Sequence, residues 1–404
     1  MSSPLEGIRV IELAHVMAGP ICGLFLADLG AEVIKIERLP GGDATRQFSP
    51  PEIKGESAAF MMLNRGKRGV GLNLRTEEGQ SIVRQMVSEA DVVIENFRLG
   101  TMEQMGLGYE DLTKINERLI YCQITGFGRT GPLSEQGGFD LIAQGYSGLM
   151  SVTGEGPARE PVKVGAPLTD ITAGILAAFG VVCAVLERQS TGRGQRVDTS
   201  LYEAGITQTY WQSAIALATG CSPGPLGSAH PMAAPYQAFQ TQNGWINVGA
   251  SNDGTWARLT EALGLLELRN DDRFLTNSDR MANLEALVEI LGNHFSRHPT
   301  EQWLAILEDA GVPAGPVASV GEMLEHPQTE ARDMVVDVEH TTVGSVRSLG
   351  TPIKLSGLGD GHGSATPRVG APLLGEHTRS VLREFGYSNT EVDQMIDRAV
   401  VLES

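Results

Sequence analysis

Residues 8–37 read IRVIELAHVMAGPICGLFLADLGAEVIKIE, and this stretch decides the fold. Ile8–Leu13 reads as a strand, Ala14–Pro20 as a loop, Ile21–Leu29 as an apolar helix and Ala31–Glu37 as a second strand. A strand, a returning helix and another strand make a βαβ unit, so the two strands run parallel. The pattern recurs downstream. Arg68–Leu74, Asp91–Glu95, Leu119–Ile124 and Gln195–Asp198 read as further strands, and Thr76 with Glu77 and Glu78 opens a helix with a cap and early acids. Strands alternating with helices predict an α/β fold, a parallel sheet with helices on both faces. Ligands of such sheets bind beyond the carboxyl ends of the strands. Here those ends carry the loops AHVMAGP (14–20), ERLPGGD (37–43), ENFRLG (95–100) and TGFGRTGP (125–132).

The first of these loops excludes one large class. A dinucleotide-binding unit needs glycines at fixed spacing there to admit a pyrophosphate. AHVMAGP lacks them, so Glu37 alone does not make a ribose site. Composition excludes others. The 404 residues carry a formal charge of −18, which disfavours nucleic acid and anionic membranes as partners. An anionic small ligand would need a local basic patch. The N-terminus lacks a signal-peptide pattern, and no uninterrupted apolar run reads as long enough to span a bilayer. Cys22, Cys122, Cys183 and Cys221 show no C-x-x-C spacing and read as reduced, mostly buried thiols, which suits a cytoplasmic or organelle-matrix protein.

A second stretch stands out. VGAPLTDITAGILAAFGVVCAVLE, Val164–Glu187, leads a loop into Asp170 and then into a charge-free helix, Ile171–Leu186. By position Asp170 is a helix N-cap, whose carboxylate takes orphan N–H groups. An ionised carboxylate is also a nucleophile, and a helix N-terminus favours the ionised form to low pH. Ala173, Gly174, Ala177, Ala178 and Gly180 leave room for other backbone to approach. Further on, Gly- and Pro-rich residues 218–229 read as a linker, Asn243-Gly244 marks a hairpin, and residues 230–325 read as a small inserted α+β domain. Residues 1–217 and a returning segment, 326–404, make the large domain.

The motifs LEGIRVIELAHVMAGP, LADLGAEVIKIER, GKRGVGLNLRTEEG, ADVVIENFRLG, GFDLIAQGYSG, PLTD with TGRGQRVD, HPMAAPYQAF and PLLGEHT occur in this order across nearly the whole chain. Together they resemble the family III CoA-transferases, the formyl-CoA and carnitine CoA-transferase type. The resemblance implies a Rossmann-like large domain and a homodimer whose two subunits interlock like links of a chain. It implies coenzyme A and acyl-CoA as substrates with no tightly bound cofactor, and it puts the nucleophile at Asp170. The CoA-binding positions that match are Val16, Met17, Ala18, Arg38, Leu72, Asn73, Leu74, Arg75, Asn96, Phe97 and Arg98. Two positions depart from the pattern. Gln104 stands where the family usually has a basic residue, and Gly137 where some members have lysine.

The same fold serves 2-methylacyl-CoA racemases, which move a proton with a His–Asp pair drawn from a Gly-His-Asp motif. Here that motif reads Gly138-Phe139-Asp140, and phenylalanine cannot exchange a proton. A CoA-ester-binding protein without turnover is the third reading, which the presence of the aspartate disfavours. The segment Gly227–Phe239 resembles transferases that use succinyl-CoA with a second dicarboxylate. His15, Phe139 and His230 are the substrate-side candidates, and His230 reads equally as a structural histidine before Pro231.

Overall fold

The opening segment folds as its pattern predicts. β1 (Arg9–Glu12) and β2 (Glu32–Arg38) pair in parallel, Val10 beside Val33 and Ile11 beside Ile34, and α1 (Ala18–Asp28) connects them. The helix begins earlier than its apolar run. Pro20 is tolerated because first-turn N–H groups have no intrahelical acceptor. The structure, a computed structural model, describes residues 3–357 and 368–404.

β3 (Arg68–Leu72) follows, then α2 (Glu77–Val87), capped by the Thr76 hydroxyl, which accepts the Gly79 N–H at 3.0 Å. Next come β4 (Val92–Glu95), β5 (Ile120–Thr125), α3 (Asp140–Tyr146), α4 (Leu168–Thr191) and β6 (Arg196–Ser200). A short β7 (Val401–Leu402) closes one edge. Among the described residues the strands form one sheet in the order β7-β3-β2-β1-β4-β5-β6, parallel except for β7 against β3. The chain grows outward from β1 in one direction and then returns to β4 on its other side. The crevice of an open α/β sheet opens at such a reversal, here between the loops that leave β1 and β4. Alternate strand residues supply two cores. Ile11, Ile34 and Val93 face α2, while Val10, Val33 and Val92 face α1 and α4.

The small-residue face of α4 explains its place. A Cβ on Gly174 would stand 2.6 Å from the Ala18 carbonyl oxygen, so only glycine admits this approach of α1. At the other end Arg188 is buried and pairs with Asp91, just before β4, at 2.8 Å. α4 therefore runs against the strands and delivers its N-terminus to their carboxyl ends. It is longer than the charge-free run Ile171–Leu186. A turn added at each end gives 24 residues, enough by length and composition alone to cross a bilayer. The uninterrupted apolar run within it, Ile171–Leu186, is shorter, bounded by Asp170 and Glu187.

The chain divides into two compact units. The sheet belongs to the first, Met1–Gly148, Val164–Gln208 and His326–Ser404. The second takes Leu149–Lys163 and Thr209–Glu325. In it the strands Tyr236–Gln240, Trp245–Gly249 and Ala314–Pro316 make an antiparallel sheet, and Asn243-Gly244 lies in its hairpin turn. Phe239, Trp256, Phe295 and Trp303 sit in its core. The boundary expected after residue 217 falls inside a helix, Tyr210–Thr219. Cys22 and Cys122 are buried as expected, but Cys183 and Cys221 are exposed.

Candidate active site

Three cavities of the first unit meet at the carboxyl ends of β1 to β5. One is lined by Leu13, His15, Arg38, Asp43, Leu74 and Phe97. A cleft of about 300 Å³ runs past Asn96, Phe97, Arg98, Gly137 and Phe139. The third, about 100 Å³, is lined by His15, Val16, Met17, Ala18, Asn96, Phe139 and Asp170. His15 borders all three, so they adjoin one another along one crevice edge.

Asp170 is not the N-cap. Pro167 holds that position, and Asp170 lies at the third residue of the first turn of α4. The capping work is done from outside. Asp140, on α3, accepts the Thr169 N–H at 3.0 Å and the Thr169 hydroxyl at 2.8 Å with one oxygen. Its other oxygen accepts the Gln144 amide at 2.8 Å. Asp170 is left without a hydrogen bond among the described residues, half-buried in the chamber. Burial, and then the Asp140 charge, push its carboxyl up to about 7. Desolvation and a like charge both act against the helix dipole, which was expected to keep this carboxyl ionised to low pH. The result is a carboxylate poised near neutrality and free of partners.

The opposite wall is a clamped loop. Asn96 accepts the His15 N–H at 2.9 Å and donates to the His15 carbonyl at 2.8 Å. Lys35 donates to the Ala14 carbonyl at 2.9 Å. Asp43 accepts the Val16 N–H, its two oxygens at 3.1 and 3.2 Å. Val16 has φ +67°, a left-handed conformation that costs a β-branched residue roughly 1–3 kcal/mol and persists only where neighbours impose it. Asp43 is fixed in turn by the Thr45 N–H at 3.0 Å and by Lys35 at 3.0 Å, and Lys35 pairs with Glu12 at 3.0 Å. Burial alone would raise the Asp43 carboxyl, but Lys35 and the Thr45 N–H hold it well below the usual carboxylate range. The Lys35 ammonium, although desolvated, is raised to about 12 by Glu12 and Asp43. These charged groups were not singled out from sequence. Their one local sign is a charge inside an apolar strand, Glu12 in VIEL and Lys35 in VIKIE. Glu95 carries the same sign, and burial pushes its carboxyl up to about 8.

The expected site residues divide. His15, Val16, Met17, Ala18, Asn96, Phe139 and Asp170 share the chamber, and Arg38, Leu74, Phe97 and Arg98 line the adjoining cavities. Burial lowers the His15 pKa, which favours the neutral form of its ring, 5.4 Å from Phe97. Leu72 does not reach the crevice. Its side chain is fully buried in the core, where the alternation of β3 points it. Asn73 turns inward on its own loop, accepting the Arg75 N–H at 3.2 Å, and Arg75 is exposed. At the two departures, Gln104 is exposed, and Gly137 lies under Arg98. A Cβ at residue 137 would stand 3.3 Å from Arg98 Nε, so the guanidinium occupies the space above the glycine. His230 belongs to the second unit. Its Nδ1 accepts the Met232 N–H at 3.1 Å, and its ring packs on Trp211 and Tyr236.

The chain was compared with known proteins. The family model described as CoA-transferase family III matches residues 5–378. A succinyl-CoA:glutarate CoA-transferase of Mus musculus is 37% identical, covering 98% of this chain and 90% of the relative. An acetyl-CoA:oxalate CoA-transferase of Acetobacter aceti is 40% identical, covering 95% of this chain and 96% of the relative. A CAIB/BAIF family protein from Brucella suis has a solved structure that superposes with a TM-score of 0.83 at 42% identity, covering 95% of this chain and 100% of that one.

Proposed function

The chain belongs to CoA-transferase family III, and from that premise we propose that it moves CoA from succinyl-CoA to a small dicarboxylate, with Asp170 as the nucleophile. The observation that carries the reading is the Asp170 carboxylate. It faces a chamber at the strand ends, unpartnered, with its pKa near neutrality. The names of the two similar transferases support the substrate class, since glutarate and oxalate are both dicarboxylates.

The chemistry is nucleophilic catalysis in four displacements. An Asp170 oxygen attacks the thioester carbon of the donor. The C–S bond breaks, leaving an aspartyl–acyl anhydride and CoA thiolate. The thiolate attacks the Asp170 carbonyl carbon, the anhydride C–O bond breaks, and the donor acid departs, leaving an aspartyl-CoA thioester. The acceptor carboxylate attacks that thioester and again expels the thiolate. The thiolate then attacks the acceptor's acyl carbon, which releases the new acyl-CoA and restores Asp170. α1 supports these steps. The N–H groups of Ala18 and Gly19 lie in its first turn and have no intrahelical acceptor, so its N-terminus favours an oxyanion forming in the chamber. Arg38 and Arg98 line the adjoining cavities, where Lys35 is already paired with Glu12 and Asp43, and suit the phosphates of CoA.

A homodimer belongs to the same proposal. Helix Tyr210–Thr219 buries none of its residues within this chain, and Leu217 is 88% exposed. Apolar surface of that kind marks an interface. Mass measurement in solution checks it. A racemase would need a second proton carrier, and Phe139 supplies none, so no deuterium should enter a 2-methylacyl-CoA in D2O at turnover rates.

The decisive experiment is trapping. Incubation with succinyl-CoA and no acceptor, followed by hydroxylamine, should convert Asp170 to its hydroxamate. The peptides carrying Asp140 and Asp198 serve as unmodified controls. An unmodified Asp170 peptide, from enzyme that turns over once acceptor is added, refutes the mechanism.

A further inference from the structure

We propose that Asp43, on the loop after β2, is a positioning residue of the transfer reaction. Through the Val16 N–H it fixes the His15–Met17 wall that faces Asp170. The proposal rests on the reading of Asp170 as the nucleophile. Its observations are separate from that reading.

Val16 stands at φ +67°, where glycine is at ease and valine is not. Its N–H ends on both oxygens of Asp43. The residues before it are held too, Ala14 through its carbonyl by Lys35 and His15 through both backbone groups by Asn96. Two consecutive peptides, 14–15 and 15–16, are thus fastened at all four of their polar groups, from β2, from the loop after it and from the loop after β4. Asp43 is the anchor at the strained residue, and it does not move freely. It is braced by Lys35, itself fully buried and paired with the fully buried Glu12. Met17 follows at once as the N-cap of α1, and no side chain caps that helix start. The conformation of Val16 therefore sets the direction in which α1 begins and where its first N–H groups stand. Val16, Met17 and Ala18 all line the chamber with Asp170. A valine held in this conformation by a buried acid is a wall whose shape Asp43 determines. Asp43 acts through that wall.

The test is a cycle of Asp43→Asn and Val16→Gly on the full-length enzyme, with kcat and KM measured for succinyl-CoA and a dicarboxylate acceptor. Asp43→Asn keeps one acceptor oxygen but loses the charge that Lys35 braces. Its kcat should fall roughly 100-fold, as a misplacement near 1 Å does, with KM for succinyl-CoA changed far less. Glycine at residue 16 keeps the left-handed conformation without help. In the Val16→Gly background, adding Asp43→Asn should therefore cost less than about 5-fold, the two changes being coupled. A purely structural role for Asp43 would give the same loss in both backgrounds, and that result overturns the proposal. So does an Asp43→Asn enzyme with wild-type kcat, or one whose loss matches its unfolded fraction by circular dichroism. Should Asp43→Asn fail to fold, Asp43→Glu keeps the charge for Lys35 and moves the anchor. It should show the same kcat loss, and wild-type kcat there is equally fatal. Failure of the nucleophile reading appears elsewhere, as wild-type enzyme that forms no Asp170 hydroxamate, while the coupling of residues 16 and 43 is read from rates alone.

Discussion

Asp170 and Asp43 line neighbouring cavities that share His15, and both are largely shielded from water, yet they are driven in opposite directions. Asp170 has no hydrogen-bond donor among the described residues and faces Asp140, and its carboxyl rises to about 7. Asp43 has Lys35, the Thr45 N–H and the Val16 N–H, and its carboxyl sinks well below the ordinary range. Burial raises both, so the partners decide the direction. Withholding donors makes a carboxylate basic and reactive, whereas supplying them makes it a fixed anion that other groups can be hung on.

The contrast breaks most visibly if Asp170 can be removed without loss. Asp170→Ala should lower transfer by about a thousandfold or more, as loss of a covalent nucleophile does, with circular dichroism and CoA binding unchanged. A rate within a few-fold of wild type would make Asp170 one more structural acid.

The second test is pH. The reactive form is the carboxylate, so its fraction rises through about 7. Single-turnover trapping of Asp170 by hydroxylamine should fall about tenfold per pH unit below that value and level off above it. A plateau reaching down to pH 5 would mean that the helix dipole prevails over burial and Asp140.

Stability gives a smaller effect with opposite signs. The folded pKa of Asp170 is raised above its unfolded value of about 3.9, so the fold is favoured at low pH and that advantage is lost as pH rises through 7. Asp170→Asn avoids the loss. Its melting temperature should exceed wild type at pH 8 and match it below pH 4. Asp43 is depressed, so it stabilises the fold above about pH 4 and loses that contribution as pH falls further. Asp43→Asn should melt lower than wild type at pH 8, with the gap narrowing in acid. Each difference should be roughly 2–6 °C by scanning calorimetry. Shifts of the same sign at pH 8 would erase the distinction between the two acids.

Much of this was legible in the chain. The βαβ pattern survives in the fold because β-branched strands and apolar helices report local periodicity, and the strand-end rule marked the loops that line the crevice. What failed was non-local. Leu149–Lys163 joins the second unit, and its Gly- and Pro-containing run, TGEGPAREP, marks a loop without showing which unit it packs on. The helix of Asp170 begins at Leu168, so the acid lies beyond the cap, and the cap is supplied by Asp140, 29 residues before Thr169 in sequence. A dipole argument sees the helix alone. It does not see the second carboxylate across from it, nor the donors that gather at Asp43 from β2 and the β1 loop.

The smallest expected effect isolates that second carboxylate. Asp140→Asn removes a negative charge and keeps an oxygen for the Thr169 N–H and hydroxyl, so the start of α4 should hold. One new contact is unfavourable. The Gln144 amide, which now donates to the other Asp140 oxygen, would meet an NH2 group. It cannot simply turn over, because its own oxygen accepts the Val164 N–H at 2.9 Å. The overall rate is therefore a poor readout, and the position of the acid limb is the right one. Burial is the larger cause of the raised Asp170 pKa and Asp140 the lesser, so the limb should move down by about half a unit to one unit and stop well above the ordinary aspartate range. At pH 6 a larger fraction of the enzyme is then trappable than in wild type, while at pH 8 the trappable fraction is unchanged. A limb that stays at 7 assigns the whole shift to burial and leaves Asp140 only its cap. A limb that falls to 4 reverses the ranking and makes the facing charge, rather than the dry chamber, the group that keeps Asp170 poised.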